Sequence, residues 1–258
     1  MNKDPPTERR EAIAGRLAEG RTVSANALAE EFGVSPDAIR RDLRALAAEG
    51  RCRRVYGGAL PLSGASTSMA IRSAEAAERK TALALAAAGL IQPGEFVFLD
   101  NGSTNLALAR QLPRLDLTVA TNSIAIAVVL AERSDLRIHI IGGTIDAEVG
   151  GCVDAAAVLT LQQMNIDRCF LGACALSSVE GVSAFHAADA VFKRVALTCS
   201  RRVALMATHD KLGTRARHRV SAVEAINTIV IEHDADDHAE TAALRLLGIE
   251  IVRAGEPA

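Results

Sequence analysis

A basic, amphipathic segment from Ser35 to Gly58 constrains this chain more than any other stretch. Ser35 is a good N-cap, and Pro36 takes the first helical position, where its missing N–H costs nothing. Apolar residues at steps of four, three and one then form one stripe of a helix: Ile39, Leu43, Leu46 and Ala47. The arginines of the helix fall outside that stripe and are expected to face outward: Arg40, Arg41 and Arg44.

A second basic cluster follows this helix. Gly50 ends the helix, and three arginines come at once before the turn-forming pair Gly57-Gly58. A basic helix followed by a basic hairpin suits a recognition helix in the major groove and a wing on the DNA phosphates. Taken alone, the helix is also consistent with an ordinary amphipathic helix whose arginines are solvated. The residues predicted to contact DNA are Ser35, Asp37, Ala38, Arg40, Arg41, Arg44, Arg53 and Arg54.

Two preceding segments favour DNA binding. Thr7–Gly20 and Ser24–Gly33 each place two apolar residues at i, i+4 and end in glycine, so the three helices form a helix-turn-helix pattern. Residues 1–58 carry 11 Lys and Arg against 9 Asp and Glu, whereas residues 59–258 carry 18 against 22. Because this basic excess is small, binding to DNA is expected to need more than one copy of the domain at residues 1–58. The sequence therefore predicts a homodimer or tetramer formed through the C-terminal domain.

Short motifs recur along nearly the whole chain. They include I-R-R-D-L followed by R-R-V-Y-G-G in the basic segment, and further on F-L-D-N-G-S-T, T-N-S, I-G-G-T, F-L-G-A and K-R. Together these motifs resemble the DeoR family of bacterial repressors. The resemblance implies a winged helix-turn-helix joined to a sugar-phosphate-sensing domain similar in fold to ribose 5-phosphate isomerase. One departure is Ala38, where a threonine is common in the family, so this helix does not indicate the operator sequence.

The composition limits the class of protein. A chain of 258 residues with 49% apolar residues can fill two cores. The first twenty residues lack the apolar core of a signal peptide, and the run from Ala82 to Ile91 is too short to cross a bilayer, so a cytoplasmic protein is expected. Five cysteines without a C-x-x-C pair argue against a disulfide framework or a zinc site. An aromatic fraction of 3% favours duplex DNA over single strands.

Residues 59–74 are predicted to be a linker between residues 1–58 and a domain at 75–258, because they are rich in Ser, Gly and Ala and show no sustained period. In the second domain strands alternate with helices, which is typical of an α/β layer with a largely parallel sheet. Strands are predicted at 96–99, 117–120, 137–141, 168–171, 202–206, 228–231 and 250–252. Helices are predicted near 78–91, 103–112, 123–132, 154–164, 187–200 and 238–247.

Polar turns follow several of these strands, and in a parallel sheet such turns meet at one edge. After the first strand, Asp100–Asn105 combines a glycine, two hydroxyls and a helix N-terminus, which are the parts of an anion site, although helix capping would also explain them. Thr121–Ser123 repeats this chemistry, and Gly142-Gly143 supplies bare backbone amides. The resemblance carries the phosphate role onto 101–104, with 121–123 nearby.

The predicted ligand is a phosphorylated sugar. By resemblance Lys193, in the K-R motif, reaches this ligand, although a solvated helix surface is the alternative. Lys211 is a second candidate cation, and the carboxylate of Asp100 is expected to accept sugar hydroxyls. The residues predicted to bind the effector are Asp100, Asn101, Gly102, Ser103, Thr104, Thr121, Asn122, Ser123, Gly142, Gly143, Lys193 and Lys211.

Two polar clusters resemble catalytic or metal sites. His209-Asp210 is one, and the other comprises His233, Asp234, Asp236, Asp237 and His238. Both lie in turns where polar residues are expected anyway, so we predict no metal, no cofactor and no catalytic residue.

Two classes of function remain: a ligand-controlled repressor of carbohydrate-metabolism genes, and a sugar-phosphate isomerase or transferase with a DNA-binding head. An isomerase needs a base and charged groups that hold an enediolate. The isomerase pattern G-A-D becomes Gly172-Ala173-Cys174 here, and Val191 stands where related helices bring an acid. Loss of these carboxylates predicts a sensor rather than an enzyme. Cys174 also suggests redox sensing, although a buried cysteine is usually a small apolar residue.

Overall fold

The structure is a computed structural model that describes residues 6–18, 23–49, 51–55, 58–61, 69–74 and 76–257. The chain divides into two compact units, residues 1–67 and residues 68–258. Among the described helices, none combines the length and the apolar character needed to cross a membrane.

The N-terminal unit is a three-helix domain with a small antiparallel sheet, as the sequence predicts. Its predicted helix ends at Gly20 and Gly50 lie outside the described residues. The strands pair in the order β1-β3-β2, so β2 and β3 form the hairpin expected of a wing. The elements are α1 (Pro6–Ala18), β1 (Val23–Ser24), α2 (Ala25–Glu31), α3 (Pro36–Ala48), β2 (Cys52–Val55) and β3 (Gly58–Pro61).

Burial and several ion pairs hold these helices together. The core includes Ile13 and Leu17 of α1 and Leu28 of α2, each almost fully buried. Arg9 of α1 donates to the carboxylate of Asp42 of α3 at 2.7 Å, and both side chains are buried. A charge pair out of water locks the two helices in one arrangement, because breaking it would leave a buried charge without a partner.

The elements at both ends of the predicted linker, residues 59–74, differ from what the sequence suggests. Ala59 is fully buried and pairs with Val23 in the small sheet, so β3 belongs to the N-terminal unit rather than to a linker. A Cβ at Gly58 would lie 2.0 Å from the Val23 carbonyl oxygen, so this close strand approach requires glycine. A helix, α4 (Met69–Ala74), already belongs to the second unit. Residues 62–68 of the predicted linker lie outside the described residues.

The C-terminal unit is an α/β domain built on a seven-stranded parallel sheet, which confirms the predicted fold class. All seven predicted strands are present, with ends that differ by two residues at most. Its helices are α5 (Ala77–Ala88), α6 (Ser103–Gln111), α7 (Ile124–Ala131), α8 (Ala155–Leu161), α9 (Ala187–Thr198) and α10 (Ala239–Leu246). Its first strands are β4 (Phe96–Leu99), β5 (Leu117–Thr121), β6 (Leu136–Ile140), β7 (Ile145–Asp146), β8 (Gly151–Cys152) and β9 (Ile166–Leu171). The rest are β10 (Ala175–Ser177), β11 (Gly181–Ala184), β12 (Ser200–Ala207), β13 (His218–Ser221), β14 (Thr228–Ile231) and β15 (Glu250–Arg253).

Both faces of the large sheet are covered by helices. Phe98 packs in a core with α8 and α9, whereas its neighbours Val97 and Leu99 pack in a second core with α5, α6 and α7. Successive side chains of a strand point to opposite faces, so a strand covered on both sides must be apolar throughout. This requirement explains the continuous apolar run that identified β4 in the sequence.

A second, antiparallel sheet of β10, β11 and β13 was missed by the sequence analysis, as was the β7–β8 hairpin. These strands are only two to four residues long, which is too short for a period of two to be evident. The β7–β8 and β10–β11 pairs are local hairpins, whereas β11 also pairs with the distant β13, for example Val182 with Ser221. A Cβ at Gly181 would lie 2.1 Å from the Ser221 carbonyl oxygen, so this strand approach requires glycine.

The order of the large sheet is β15-β14-β12-β9-β4-β5-β6. From β4 the chain proceeds outward through β5 and β6 on one side, and from β9 it proceeds through β12, β14 and β15 on the other. The order therefore reverses between β4 and β9, and ligands of open parallel sheets bind beside the carboxyl ends of such a strand pair. Asp100 and Gly172 follow these two strands, and the Gly172 N–H donates to Asp100 Oδ2 at 2.9 Å.

Candidate functional site

The third helix of the N-terminal unit begins as predicted. Ser35 Oγ accepts a hydrogen bond from the Ala38 N–H at 3.3 Å, and Pro36 is the first residue of α3. The predicted apolar stripe is confirmed, because three of its residues are buried and the fourth packs against the same core: Ile39, Leu43, Leu46 and Ala47.

The other face of α3 carries the residues predicted to contact DNA. Arg40 pairs with Asp37 at 2.8 Å, and Arg44 Nε donates to the Arg40 carbonyl at 3.2 Å. Within the described part of the chain, Arg41 forms no ion pair, so its guanidinium is available to a base edge or a phosphate. Five of the six predicted positions in and before α3 are exposed, namely Ser35, Asp37, Arg40, Arg41 and Arg44, and Ala38 is half-buried.

Of the three arginines that follow α3, two lie in strand β2 and one lies just before it. Arg53 and Arg54 are strand residues of β2, but their side chains lie outside the described residues. Arg51 donates to both carboxylate oxygens of Glu11, at 2.6 and 2.8 Å. This arginine therefore ties the start of the hairpin to α1, a partner that the sequence spacing of 40 residues concealed.

Three buried charges lie at the switch point of the large sheet. Lys193 Nζ is 2.6 Å from Asp100 Oδ2 and 2.7 Å from Asp189 Oδ1. The residues are 1%, 0% and 3% exposed, respectively. Asp189 and Lys193 share one face of α9 because they are four positions apart. The cation predicted from the K-R motif is thus already neutralised inside the protein, by two carboxylates.

The charges of this trio keep the Lys193 side chain in its protonated, charged form. Burial alone would lower the pKa of Lys193, but the carboxylates of Asp100 and Asp189 outweigh it and raise this pKa above its ordinary value. Burial raises the pKa of Asp100, against the opposing influence of the Lys193 ammonium. Asp100 Oδ1 accepts from the Asn101 N–H at 2.8 Å, so both of its oxygens already have donors. Its predicted contact with a sugar hydroxyl is not available in this structure.

Two asparagines join the loops that the sequence predicts to converge. The Asn101 N–H donates to Asn122 Oδ1 at 3.0 Å, and Asn122 Nδ2 donates to the Cys152 carbonyl at 3.1 Å. A Cβ at Gly151 would lie 2.9 Å from the Asn122 carbonyl oxygen and 3.0 Å from Asn101 Cβ. The turns after β4 and β5 therefore meet, and the segment at Gly151 closes against both.

The N-terminus of α6 is open above this junction. Gly102 precedes the helix with φ of 146°, a conformation that favours glycine, and a Cβ there would meet nothing within 4 Å. No side chain caps the first turn, so its backbone N–H groups can bind an anion. Ser103 is half-buried and Thr104 is buried beside these groups.

The start of α7 has the same chemistry. The Ser123 N–H donates to Thr121 Oγ1 at 3.1 Å, and no side chain caps the helix. Ser123 Oγ is buried and has no hydrogen-bond partner among the described residues. A buried hydroxyl without a partner is uncommon in native proteins and indicates a water or a ligand atom at this position.

The turn after β6 serves a different purpose. The Thr144 N–H donates to Asp154 Oδ2 at 2.8 Å, and Asp154 also caps α8 through the Ala157 N–H at 3.0 Å. A Cβ at Gly143 would lie 2.3 Å from Asp154 Oδ1. Gly142 and Gly143 are exposed, and the described contacts of their turn are with Asp154 rather than with the charged trio.

Lys211 lies in a short helical turn after β12 and is half-buried. It forms no ion pair with any described residue. Burial lowers the pKa of Lys211 and outweighs the opposing influence of Asp210 and Cys174, and the cations Arg72 and Lys193 add to the lowering. Because an anion would relieve this unfavourable environment, Lys211 is better suited than Lys193 to meet a phosphate. Burial raises the pKa of the neighbouring Cys174 thiol, which disfavours the redox interpretation.

The expectation that α9 lacks an acid is wrong. Val191 is 44% exposed and does not belong to the charged trio, whereas Asp189, one turn before Lys193, supplies the acid. The sequence analysis chose the wrong position within the motif, although the i, i+4 spacing of Asp189 and Lys193 was available as a signal.

The structure also brings together a group that the sequence analysis missed. His209, Glu232 and Asp234 each offer a ligand atom within 4.8 Å of the others. Of the predicted cluster at 233–238, only Asp234 belongs to it. His238 instead caps α10, accepting the Glu240 N–H at 3.1 Å. His209 and Glu232 meet because they follow the adjacent parallel strands β12 and β14, so the order of the sheet is the signal for this group.

Models of known domains match both units. Residues 9–63 match the DeoR-like helix-turn-helix domain, and residues 75–233 match the DeoR C terminal sensor domain.

Similarity to individual proteins extends over most of the chain. The chain is 31% identical to the glycerol-3-phosphate regulon repressor of Escherichia coli K12, over 86% of this chain and 89% of that protein. It is 30% identical to the HTH-type transcriptional regulator GlpR of Haloferax volcanii, over 91% and 94%. Among solved structures, ribose 5-phosphate isomerase A of Methanocaldococcus jannaschii is similar with a TM-score of 0.39 and 13% identity, over 52% of this chain and 54% of that one.

Proposed function

The chain belongs to the DeoR family of transcriptional regulators, and from that premise we propose that it is a repressor of carbohydrate-metabolism genes whose affinity for operator DNA is controlled by a phosphorylated sugar. The N-terminal helix-turn-helix is its DNA-binding domain, and residues 75–233 form its sensor domain. One relative is named a repressor of the glycerol-3-phosphate regulon. This name supports target genes that serve the metabolism of phosphorylated carbon compounds. A regulator of this kind acts in the cytoplasm, where its DNA lies.

The exposed face of α3 supports the DNA-binding half of the proposal. Arg41 and Arg44 are exposed on one side of a helix whose other side is buried, as a helix that enters the major groove requires. Arg41 reads the base edges in this proposal, and the basic residues of β2 meet phosphates.

One observation carries the effector half: the uncapped N-terminus of α6 opens beside the junction of Asn101 and Asn122. Its free N–H groups and the hydroxyls of Ser103 and Thr104 suit a phosphate group, because a helix N-terminus attracts anions. Lys211 adds the cation. A phosphate is a better occupant than a neutral sugar, which would leave the amides without a charged partner.

The hydroxylated end of the ligand is assigned to Asp189. Its Oδ1 accepts from Lys193 and Asn101, at 2.7 and 3.4 Å, whereas its other oxygen accepts no hydrogen bond from any described residue. That oxygen is the acceptor for a sugar hydroxyl in this proposal, in place of Asp100. The buried ion pair of Asp100 and Lys193 then fixes the position of Asp189.

We propose that the sensor unit binds its ligand without converting it. An isomerase base must be free to take a proton from carbon. Asp100 is held by three donors, and the ammonium of Lys193 is held by two carboxylates, so neither group is free in this structure. The third member of the trio, Asp189, is ion-paired with that same ammonium.

We also propose that the C-terminal unit forms a homodimer or tetramer. Ile124 and Val128 are 47% and 61% exposed on one face of α7, and Ile140 is 62% exposed on β6. Among the described strands, β6 pairs with β5 alone and leaves one edge open. Apolar side chains beside an open sheet edge support self-association there.

Thermal unfolding of the full chain tests the effector assignment. A phosphorylated sugar should raise the Tm in a concentration-dependent manner, and the matching free sugar should not, because only a ligand of the folded state stabilises it. Ser103→Ala with Thr104→Ala should remove the shift, whereas Thr160→Ala, an exposed helical threonine in α8, should retain it. A free sugar that shifts the Tm while a panel of phosphorylated sugars leaves it unmoved would contradict the phosphate assignment.

A further inference from the structure

A second polar group lies at the carboxyl ends of β12 and β14, outside the effector residues. His209 follows β12, and Glu232 and Asp234 follow β14, which pairs with β12 in parallel. The ligand atoms of the three side chains lie within 4.8 Å of one another. An imidazole and two carboxylates converge here because two neighbouring parallel strands end at the same level.

Glu232 is the unusual member of this group. It is 2% exposed, and its Oε2 accepts from the His209 N–H at 3.0 Å and from Arg79 Nη1 at 3.2 Å. Its Oε1 is also buried but has no hydrogen-bond partner among the described residues. A carboxylate oxygen buried without a donor is costly, and a bound cation is one of the few groups that can satisfy it.

The other two residues leave the group accessible. His209 and Asp234 are exposed, so an ion can enter from solvent. The His209 ring packs edge-on against that of His238, with 5.0 Å between the centroids. His238 is itself fixed, because its Nδ1 accepts the Glu240 N–H at 3.1 Å. The His238 ring therefore holds the imidazole of His209 beside the carboxylates. His238 does not compete for the ion through its own Nδ1, because that atom already accepts the Glu240 N–H.

We propose that His209, Glu232 and Asp234 bind one divalent transition-metal ion, of the class of Mn²⁺ or Zn²⁺. One imidazole and two carboxylates form a mixed nitrogen and oxygen ligand set, which such ions accept. The two carboxylates exceed the single positive charge of Arg79, so the site is negative before the ion binds. Water or a ligand oxygen completes the coordination on the exposed side.

Isothermal titration of the full chain with MnCl₂ after removal of metals by chelation tests this proposal. Mn²⁺ is the better probe because its preference for oxygen and nitrogen ligands limits binding to the five free cysteines. The wild-type chain should bind one Mn²⁺ per chain, and the ion should raise its Tm. Asp234→Asn and His209→Ala should each weaken binding at least about 10-fold, since each removes a ligand.

Asp237→Asn is the matched control, because Asp237 is an exposed acid of the same loop that does not belong to the group. It should bind Mn²⁺ as the wild-type chain does. Glu232→Gln should also abolish binding, and the exposed positions His209 and Asp234 keep the test decisive if that buried variant fails to fold. Absence of Mn²⁺ binding by the folded wild-type chain would overturn the proposal, and so would equal binding by Asp234→Asn and Asp237→Asn.

Discussion

Lys193 looks in the sequence like a cation available to a ligand, because its strongest partner, Asp100, lies 93 positions away. In the folded chain it is the centre of a buried trio with Asp100 and Asp189. Its role at the residue scale is therefore to hold the end of β4 against α9. In the proposed site, the ligand is held by Asp189 at the edge of this trio and by the helix N-terminus beside it.

Replacing Lys193 should consequently affect folding more than ligand charge. Lys193→Met leaves two buried carboxylates without their cation and should lower the free energy of unfolding by about 3–5 kcal/mol. Arg194→Ala, at the exposed next position, should cost less than about 1 kcal/mol. Urea unfolding followed by circular dichroism measures both. Equal stability of the two variants would show that the trio does not hold the fold together.

Lys211 gives the ligand site a dependence on pH. Burial lowers its pKa from the ordinary value of 10.5, so the ammonium form is lost at a lower pH than for a free lysine. The second ionisation of a phosphate is complete above roughly pH 7, since that pKa is about 6. Affinity for the phosphorylated sugar should therefore fall as the pH rises from 7 towards 10.5, the value from which this pKa is lowered.

Lys211→Arg should keep the charge and flatten this dependence, because arginine stays protonated throughout that range. Lys211→Ala should bind weakly at every pH. Isothermal titration at a series of pH values distinguishes the three chains. The assignment fails if the wild-type affinity is the same across the series, or if the alanine variant retains the slope.

At the scale of elements, local rules predicted α3 well. A capping serine, a proline at the first turn and an apolar stripe are all encoded within a few residues, and the structure has each of them. The strands β10, β11 and β13 could not be predicted in the same way, because they are short and their sheet is completed only by the pairing of β11 with the distant β13. The place of Ala59 in the N-terminal core could not be predicted for a similar reason, since only the pairing of β1 with β3 makes Ala59 a core residue.

Parts of the candidate site could also be predicted from local sequence, and other parts depend on distant contacts. The strand-end turns at 100–104 and 121–123 were predictable, because a parallel sheet brings such turns to one edge. The partners within the site were not, because Asp189 and Gly151 reach it from separate parts of the chain.

The exposed face of α3 leads to a prediction for DNA. Arg41→Ala should abolish specific operator binding and leave the fold intact, because Arg41 is exposed and forms no ion pair with the described residues. A base-specific bidentate contact contributes about 1–3 kcal/mol of discrimination. Arg217→Ala, which removes an exposed charge from the C-terminal unit, is the control. Footprinting shows the effect, and protection of the same site by Arg41→Ala would mean that α3 is not the recognition helix.

At the scale of the whole molecule, the apolar surface beside β6 predicts the assembly state. Light scattering should find a dimer or tetramer at micromolar concentration. Val128→Asp should dissociate it, because a charge in an apolar interface loses its hydration. Leu246→Asp is the control, since Leu246 is 89% exposed on α10. A wild-type monomer with full operator affinity, or dissociation by Leu246→Asp alone, would place the interface elsewhere.

A phosphorylated sugar in the sensor unit should change the affinity of the chain for DNA. Fluorescence anisotropy tests this prediction directly, with a labelled duplex selected by this protein from a random pool and the phosphorylated sugar that raises the Tm. The sugar should change the Kd for the duplex about 10-fold, within the usual range of allosteric coupling. The free sugar should not, and Ser103→Ala with Thr104→Ala should remove the effect without changing the Kd in the absence of sugar. A Kd that is the same with and without the phosphorylated sugar would contradict the account.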